Sequence, residues 1–466
     1  VKQHFFQKSV LREYDVRGTT GVTIGEADAY ALGRSLATLT AGRGGKTIAI
    51  GRDGRLSSPA LADAAIRGIV DAGLTALDVG LGPTPMLYYA VHHLNADSGL
   101  MITGSHNPPQ DNGFKMTWHD GPIYGAAIQQ LGQIAADGSW ISGTGTAAPH
   151  DVAQAYVTRL LQDAPTQAVN AGWDPGHGAA AAVINALVAC LPGQHHVING
   201  TVDGTFPAHH PDPTVDANLV QLQSLVVERT LDIGLAFDGD GDRLGAVDAQ
   251  GRIVRADQFL SVLAAELLTR KPGSAIIGDV KCTQTLFDRI AAQGGKPDMW
   301  KTGHSLIKAR MKETGAELAG EMSGHIFIRD GYYGFDDGLY AAIRLLAALQ
   351  RLNLTLADAL DGLPVTWATP ELRIDCPEEA KFKIVAALVA DLKAEGVAKG
   401  ITVSDIDGAR VATPDGWWLI RASNTQAILA ARAESTSPAG LERLKDIMGS
   451  RLAAYGLTLR EGTGGH

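Results

Sequence analysis

The chain has 466 residues, 45% of them apolar and 19% charged, which is too long for a single hydrophobic core and has the balance of a globular protein that folds in water. Its formal charge of −10 argues against a general nucleic-acid binder and confines any anionic ligand to a place where basic side chains converge. Three widely separated cysteines, Cys190, Cys282 and Cys376, exclude a disulfide framework and a paired-cysteine zinc site, and fit a reducing cytoplasm.

The opening VKQHFFQKSV lacks the apolar core of a signal peptide. REYDVRG (12–18) then sets Tyr14 and Arg17 ahead of a glycine. KTIAIGRDGRLSSPALADAAIRGIVDAG (46–73) reads as strand, glycine turn and helix, with Ser58 as a cap and Pro59 suited to the first helical position. TALDVG (75–80) is the next strand. In MITGSHNPPQDNGFKM (101–116) an apolar strand stops at a turn that presents Ser105 and His106, and Lys115 follows. The string is not a G-x-S-x-G elbow, and an adjacent histidine is badly placed to take the Ser105 proton, so a triad hydrolase is disfavoured. A serine that carries a phosphoryl group instead needs a cation, basic side chains and a phosphate pocket.

ADGSWISGTGTAAPH (136–150) marks a first seam between domains. AVNAGWDPGHGAAAAVINALVACL (168–191) repeats the order strand, glycine turn, helix. Its apolar run 179–191 is too short to cross a bilayer, contains Asn185, and predicts a buried helix; HHVING (195–200) follows as a strand. LDIGLAFDGDGDRLGAVD (231–248) ends a strand at Phe237 and then places Asp238, Asp240 and Asp242 at alternate positions. Such strings occur as solvated acidic turns, but three crowded carboxylates are also what a hard divalent cation requires. An EF-hand is excluded because Arg243 and Ala249 stand where its glycine and glutamate belong. Arg243 beside the acids points to a phosphate as well as a metal.

A second seam falls near 249–258, and SAIIGDVKCTQTLFDRIAAQGG (274–295) gives the strand–turn–helix order a third time. Alternation of this kind predicts βαβ units with parallel or mixed sheets. KTGHSLIK (301–308) holds His304 in a turn. AGEMSGHIFIRD (319–330) alternates Glu321, Ser323 and His325 between small residues ahead of a strand, a pattern open to a polyhydroxylated ligand and equally to local capping. After a third seam at 362–372 come a charged helix (378–396), strands at 416–420 and 427–433, and a helix near 438–455, an α+β unit. Its WWLIRASNTQAIL offers Arg421 as a fork for phosphate oxygens, with donors from Ser423, Asn424 and Thr425; an ordinary polar hairpin remains the alternative. The tail LREGTGGH is expected to fray.

In this order TGSHNP (103–108), DGDGDR (238–243), GEMSGH (320–325) and RASNT (421–425) resemble the phosphoserine, magnesium, sugar and phosphate loops of the α-D-phosphohexomutases of bacterial phosphomannomutase/phosphoglucomutase type. EYDVRG, GRDGR (51–55), NGFK (112–115), DGTFPAHHPDPTVDANL (203–219) and TGHS fall in the matching places. The resemblance implies three similar mixed α/β domains and a smaller C-terminal α+β domain around a central cleft. From the seams we expect domains at 1–150 (phosphoserine loop), 151–252 (metal loop), 253–366 (sugar loop) and 367–466 (phosphate loop, mobile).

The resemblance also implies reversible transfer of a phosphoryl group between O1 and O6 of glucose or mannose phosphates. Ser105 would be the carrier, with glucose or mannose 1,6-bisphosphate as intermediate and activator. Mg²⁺ would be held by Ser105, Asp238, Asp240 and Asp242. Lys115 and His304 would serve as acid and base, assisted by Arg17. Glu321 and Ser323 would hold sugar hydroxyls; Arg421, Ser423, Asn424 and Thr425 the idle phosphate; Tyr14, Arg243, Lys281 and His325 would support. The expected partners are small sugar phosphates, without nucleic acid or membrane, in a cytoplasmic monomer or weak homo-oligomer. One departure is visible: many relatives continue RASNT with Thr-Pro and an RFEA-like strand, where this chain has Gln426 and AILAARAES. The alternatives are a phosphoglucosamine mutase, whose usual loops SASHNP and GEQSGH differ from those here, and a serine-dependent metallophosphatase.

Overall fold

The computed structural model describes residues 3–399, 401–424 and 426–459. Thr425 and the tail beyond Leu459 lie outside the described residues.

Three sheets are built on one plan. The first uses strands Thr47–Arg52, Thr75–Leu81, Ser98–Ile102 and Asp111–Trp118. The second uses Ala171–Asp174, His195–Val197, Ile233–Phe237 and Leu244–Asp248. The third uses Ala275–Asp279, Lys296–Trp300, Leu318–Gly320 and Ile326–Ile328. In each, the first strand lies between the second and third and runs parallel to both. The fourth then turns back antiparallel on the third. Parallel neighbours need helical crossovers, and these supply the repeated strand–turn–helix pattern of the sequence. The antiparallel pairing needs only a hairpin, and its loop leaves the sheet at the carboxyl end of a buried strand. Those three hairpin loops are 103–110, 238–243 and 321–325, so the serine, the acidic and the sugar-type loops occupy one topological position in successive domains.

Strands Val16–Thr19 and Thr146–Pro149 extend the first sheet at its two edges. Ile253–Val254 pairs with Leu244–Asp248, so the second sheet runs past the expected seam at 252. The helix expected over 179–191 is shorter, Ala181–Val188, because the chain turns at both ends of it before reaching Pro192.

The fourth sheet is antiparallel throughout, with Gly416–Ala422 and Ile428–Ser435 at its centre. Helices Lys381–Lys399 and Pro438–Ala453 complete that domain. Its loop 423–427 again joins two antiparallel central strands. No described helix is long and apolar enough to cross a membrane.

A shared core fixes the domains to one another. Helices Thr84–His93, Ala153–Leu161, Ala256–Arg270 and Gly338–Leu352 contribute to one continuous apolar cluster drawn from the first three domains. Polar contacts set their registry. Buried Asp337 caps Gly338–Leu352 through the Tyr340 amide (2.8 Å) and accepts the hydroxyls of Tyr156 and Tyr332, both at 2.8 Å. Burial raises its carboxyl to about 6. The next amide, Gly338, donates to the Gly241 carbonyl at 3.1 Å and ties this helix to the acidic loop.

The fourth domain docks on the third. Trp417 and Leu419 bury Val280, and large side chains of this kind contribute about 1.5–3 kcal/mol each. Arg410 lies 3.9 Å over the Trp417 ring and donates to the carbonyls of Val280 (2.9 Å) and Cys282 (3.1 Å).

Candidate active site

The serine, acidic and sugar-type loops meet through Ser105 with Asp238 and Asp242 with His325, and the fourth reaches the first domain through Asn424 and Tyr14. Ser105 is buried and adopts a left-handed backbone, φ 51°. That conformation costs a non-glycine residue about 1–3 kcal/mol and persists only where the surroundings over-determine it. Arg55 supplies that constraint. Its guanidinium donates to the carbonyls of Ser105 (2.7 Å), Asn107 (2.6 Å), Pro108 (2.5 Å) and Asp111 (2.9 Å). Asp53 holds Arg55 from behind at 3.2 Å and accepts the Gly104 amide at 3.1 Å.

The acidic loop meets the serine loop backbone to backbone. A side chain at Gly239 would place its first carbon 2.4 Å from the Ser105 carbonyl oxygen, and Gly241 requires φ +74°. The glycines between the aspartates are therefore set by close approach and by turn geometry. The Ser105 hydroxyl donates to Asp238 Oδ2 at 2.9 Å. Asp238, Asp240 and Asp242 are fully buried and bring one carboxylate oxygen each to within 4.8 Å of the others. Asp240 Oδ1 and Asp242 Oδ1 have no hydrogen-bond partner. Buried carboxylate oxygens left unpaired in an all-oxygen cluster fit a hard divalent cation.

Lys115 provides the countercharge in this structure, pairing with Asp240 Oδ2 at 2.7 Å and with Asp242. Burial alone would lower its pKa, but the two carboxylates outweigh burial and raise it. Burial likewise favours neutral acids, and it lifts Asp238 well above the carboxylate range. Asp240 and Asp242 stay below that range because Lys115 opposes burial; Thr84, donating at 2.5 Å, helps Asp240, and His325 helps Asp242.

Basic groups converge as an anionic ligand demands. His106, 3.2 Å from the Ser105 hydroxyl, is driven well below the imidazole range by burial and then by Arg243, Arg17 and Lys115. Arg17 donates to Asp15 at 2.6 Å and to the Asn107 side chain at 2.9 Å. Arg243 lies 3.9 Å from Asp238, and its buried Nε makes no hydrogen bond.

His304 and the sugar-type loop form the next wall. His304 begins the helix His304–Thr314. Burial, Lys308 and Lys115 hold it well below the usual range, so it is neutral. Glu321 accepts the Gly303 amide at 2.5 Å and lies 3.1 Å from His325 Nδ1. The Ser323 hydroxyl is 3.0 Å from the same nitrogen. Burial would lower His325, but Asp242 and Glu321 raise it to about 9.

From the fourth domain, buried Arg421 pairs with Asp407 at 2.8 Å, and Asp407 also accepts the Thr302 amide at 3.0 Å. Asn424 donates to the Tyr14 hydroxyl at 2.5 Å, and that hydroxyl donates to the Thr302 carbonyl at 3.1 Å. The Ser423 hydroxyl accepts the Gln426 amide at 3.2 Å. Lys281 pairs with Glu371 at 2.9 Å, which pulls Glu371 down to about 2.

The described candidates lie on the hairpin loops or on the elements that flank them: Arg17, Lys115 and Arg421 on strands Val16–Thr19, Asp111–Trp118 and Gly416–Ala422, and His304 at the start of its helix. The same geometry adds residues that sequence reasoning left without a role. Arg55 and Asp53 lay in the GRDGR string, whose position in the order was legible while its contacts were not. Asp336, Asp407 and Glu371 had no motif to mark them; each sits beside a basic candidate in space and far from it in sequence.

Family comparison agrees with this layout. Models of phosphoglucomutase/phosphomannomutase α/β/α domains I, II and III match residues 8–140, 154–251 and 255–366, and the model of the C-terminal domain matches 371–448. The chain belongs to the phosphoglucomutase/phosphomannomutase family. It is 42% identical over 453 residues to a phosphomannomutase/phosphoglucomutase of Pseudomonas aeruginosa, covering 97% of each chain. It is 42% identical over 443 residues to a phosphoglucomutase of Neisseria gonorrhoeae, covering 94% of this chain and 95% of that one. The crystal structure of a phosphoglucomutase/phosphomannomutase family protein from Burkholderia thailandensis superposes with a TM-score of 0.90 at 41% identity, over 97% of this chain and 98% of that one.

Proposed function

We propose that this member of the family interconverts hexose 1-phosphates and hexose 6-phosphates, acting on both glucose and mannose phosphates through a phosphoserine at Ser105. The observation that carries the reading is the buried Ser105 hydroxyl, 2.9 Å from Asp238 at the edge of an all-oxygen carboxylate cluster. Asp238, Asp240, Asp242 and phosphorylated Ser105 would hold Mg²⁺, to which the two orphaned carboxylate oxygens are suited. When bound, the ion offsets phosphoryl charge that would otherwise repel an oxygen nucleophile.

The chain's own groups then divide the work. A sugar hydroxyl attacks phosphorus, its oxygen bonds to phosphorus, and the bond to Ser105 Oγ breaks. Neutral His304 accepts the hydroxyl proton, and protonated Lys115 supplies one to the departing Ser105 oxygen. Arg17 steadies the phosphoryl oxygens from the Asn107 side. The hexose 1,6-bisphosphate turns over in the cleft and returns its other phosphate to Ser105. Arg421, Ser423, Asn424 and Thr425 grip whichever phosphate is idle, bordered by Tyr14, Arg243, Lys281 and His325. Glu321 and Ser323 hold O3 and O4, which roughly exchange places when the sugar turns. C2, where glucose and mannose differ, is left loosely held.

A coupled assay with Mg²⁺ and trace bisphosphate on glucose, mannose and glucosamine 1-phosphates tests this. The expected kcat/KM values for glucose and mannose lie within ~100-fold, since only a hydroxyl that is strictly read reaches ~10⁴-fold or more. A preference above ~10³-fold would mean that O2 is read directly. Steady release of inorganic phosphate would replace the mutase by a phosphatase, and a glucosamine preference by the corresponding mutase. Intact mass should show one phosphoryl group, mapped to the segment 101–115.

A further inference from the structure

In each of the three sheets built on one plan, a buried aspartate stands at the carboxyl end of the first strand: Asp53 just beyond Thr47–Arg52, Asp174 in Ala171–Asp174 and Asp279 in Ala275–Asp279. In two domains this carboxylate holds the neighbouring hairpin loop itself. Asp53 accepts the amide of Gly104 at 3.1 Å, and Asp279 accepts that of Met322 at 3.3 Å, in each case the second residue of the loop. The second domain differs by register. Arg52 pairs with Ile102 and Gly278 with Gly320, which sets Asp53 and Asp279 level with the first loop residue. Asp174 pairs with Ala236, two residues short of the loop that begins at Asp238. It faces the same side of its sheet but stands about 6.6 Å further back, too far for a direct bond to the Gly239 amide. That amide donates instead to the Pro211 carbonyl at 3.2 Å. We propose that His209, clamped between Asp174 and the segment leading to Pro211, is a positioning residue for the acidic loop, and through it for the ion that Asp238, Asp240 and Asp242 would hold.

The contacts form a continuous brace. Asp174 Oδ1 accepts the Gly176 amide at 2.9 Å and the Asn199 side chain at 3.0 Å. Asp174 Oδ2 accepts from His209 Nε2 at 2.9 Å. The other ring nitrogen, Nδ1, donates to the His210 carbonyl, also at 2.9 Å. Both partners are acceptors, so the ring carries two protons. Burial would lower its pKa, but Asp174 outweighs burial and raises it. A ring bonded at both nitrogens cannot turn, and it sets the course of the chain into Pro211. Around Pro211 there is little slack. A first side-chain carbon on Gly176 would lie 3.3 Å from both His209 and Pro211, and one on Gly239 would meet Pro211 at 3.3 Å. The Gly239 carbonyl accepts the Ala179 amide at 2.9 Å, so the residue between Asp238 and Asp240 is held at both of its backbone groups. Without the brace Gly239 is free to shift, and the aspartates on either side shift with it.

Metal binding without turnover tests the inference. It rests on the carboxylate cluster holding a hard ion, and Mn²⁺, which takes the same oxygen ligands as Mg²⁺, reports that ion directly. Full-length protein free of sugar phosphate is titrated with Mn²⁺, and the unbound ion is read by electron paramagnetic resonance. His209→Leu should weaken Mn²⁺ binding by ~10-fold, the size of effect expected when a partner behind a metal ligand is lost. Asp174→Asn should act in the same direction, and the double variant should be no weaker than the weaker single one, because both act through one brace. In turnover at saturating Mg²⁺ the KM for hexose phosphate should stay within ~2-fold of the parent's, since the sugar and phosphate loops keep their contacts. If His209→Leu does not fold, as judged by its melting transition, Asp174→Asn carries the test. Mn²⁺ affinity equal to the parent's, even with a lowered melting temperature, would overturn the inference and leave the mutase reading intact. Losses that add in the double variant would overturn it as well, and a parent that binds no Mn²⁺ would overturn both readings.

Discussion

The loop that carries Ser105 and the loop that carries Arg421 are both hairpins between central strands, yet they are held in opposite ways. The serine loop is fixed from beneath by one guanidinium with four backbone carbonyls and from above by the glycines of the acidic loop. The phosphate-type loop is held from its own domain by Lys381, which donates to the Gln426 carbonyl at 2.9 Å, and from two other domains through Asp407 to Thr302 and through Asn424 to Tyr14. A group that forms and breaks a covalent bond needs a fixed position. A grip that must take either end of a turning bisphosphate gains from one that can reset. The contrast teaches that rigidity is distributed within this cleft according to chemical task.

Ser105→Ala should give the largest effect, a loss of at least ~10³-fold in kcat/KM, because it deletes the covalent carrier while the loop stays in place. A coupled assay measures it, and near-normal turnover would break the comparison at its root. Arg55→Lys comes next. Lysine keeps the charge but cannot reach four carbonyls, so Ser105 should drift and kcat fall by ~10²-fold with KM changed by no more than ~3-fold. An equal rise in KM would mean that Arg55 only stabilises the fold.

These two expectations mark what was legible in the sequence. The strings around Ser105, Asp238 and Glu321 could be read because tight turns set glycine among the polar side chains, and that around Arg421 because it clusters Arg421, Ser423 and Asn424 between two apolar strands. That three of the loops are one hairpin repeated in three domains could not be read, because the copies share topology while each loop has its own chemistry. The strand–turn–helix order was visible since it follows from parallel pairing, and so was the strand after the sugar-type loop; the antiparallel direction of each fourth strand was not, because strand periodicity does not report direction. Asp336 and Asp407 were hidden for a related reason, as their basic partners His304, Lys308 and Arg421 stand 14 or more residues away and leave no local spacing.

Arg421→Ala should act chiefly on KM. Each lost hydrogen bond between the guanidinium and a phosphate costs about 1.5–3 kcal/mol, and unchanged kinetics would remove Arg421 from the grip. A fourth expectation concerns pH, to which the sugar-type loop is sensitive through His325 beside Asp242 and Glu321. Its folded value of about 9 lies above the ordinary 6.5, so its contribution to stability is complete below pH 6.5 and is lost as pH rises through 9. Thermal melts across that window should show His325→Gln with a flatter profile, by on the order of 1–2 kcal/mol. A parallel profile would place the titration elsewhere. The smallest effect belongs to Gln426→Ala. Its side chain meets Arg373 at an exposed position, and its carbonyl, which the substitution keeps, still accepts Lys381 at 2.9 Å. Stability should change by no more than ~0.5 kcal/mol and KM by less than ~3-fold, and a larger change in KM would make the loop as tightly specified as that of Ser105.

Tyr14 offers a last consequence. Its hydroxyl belongs to the first domain, donates to Thr302 of the third and accepts from Asn424 of the fourth. Burial raises its pKa above the ordinary phenol value. Were the fourth domain to swing away, the ring would meet water and that value would fall back toward 10. One phenolic proton is thus a built-in gauge of how three domains stand to one another. Ultraviolet difference titration against Tyr14→Phe would read the gauge directly, with ligand expected to delay ionisation and an unchanged curve meaning that the ring never leaves its seat.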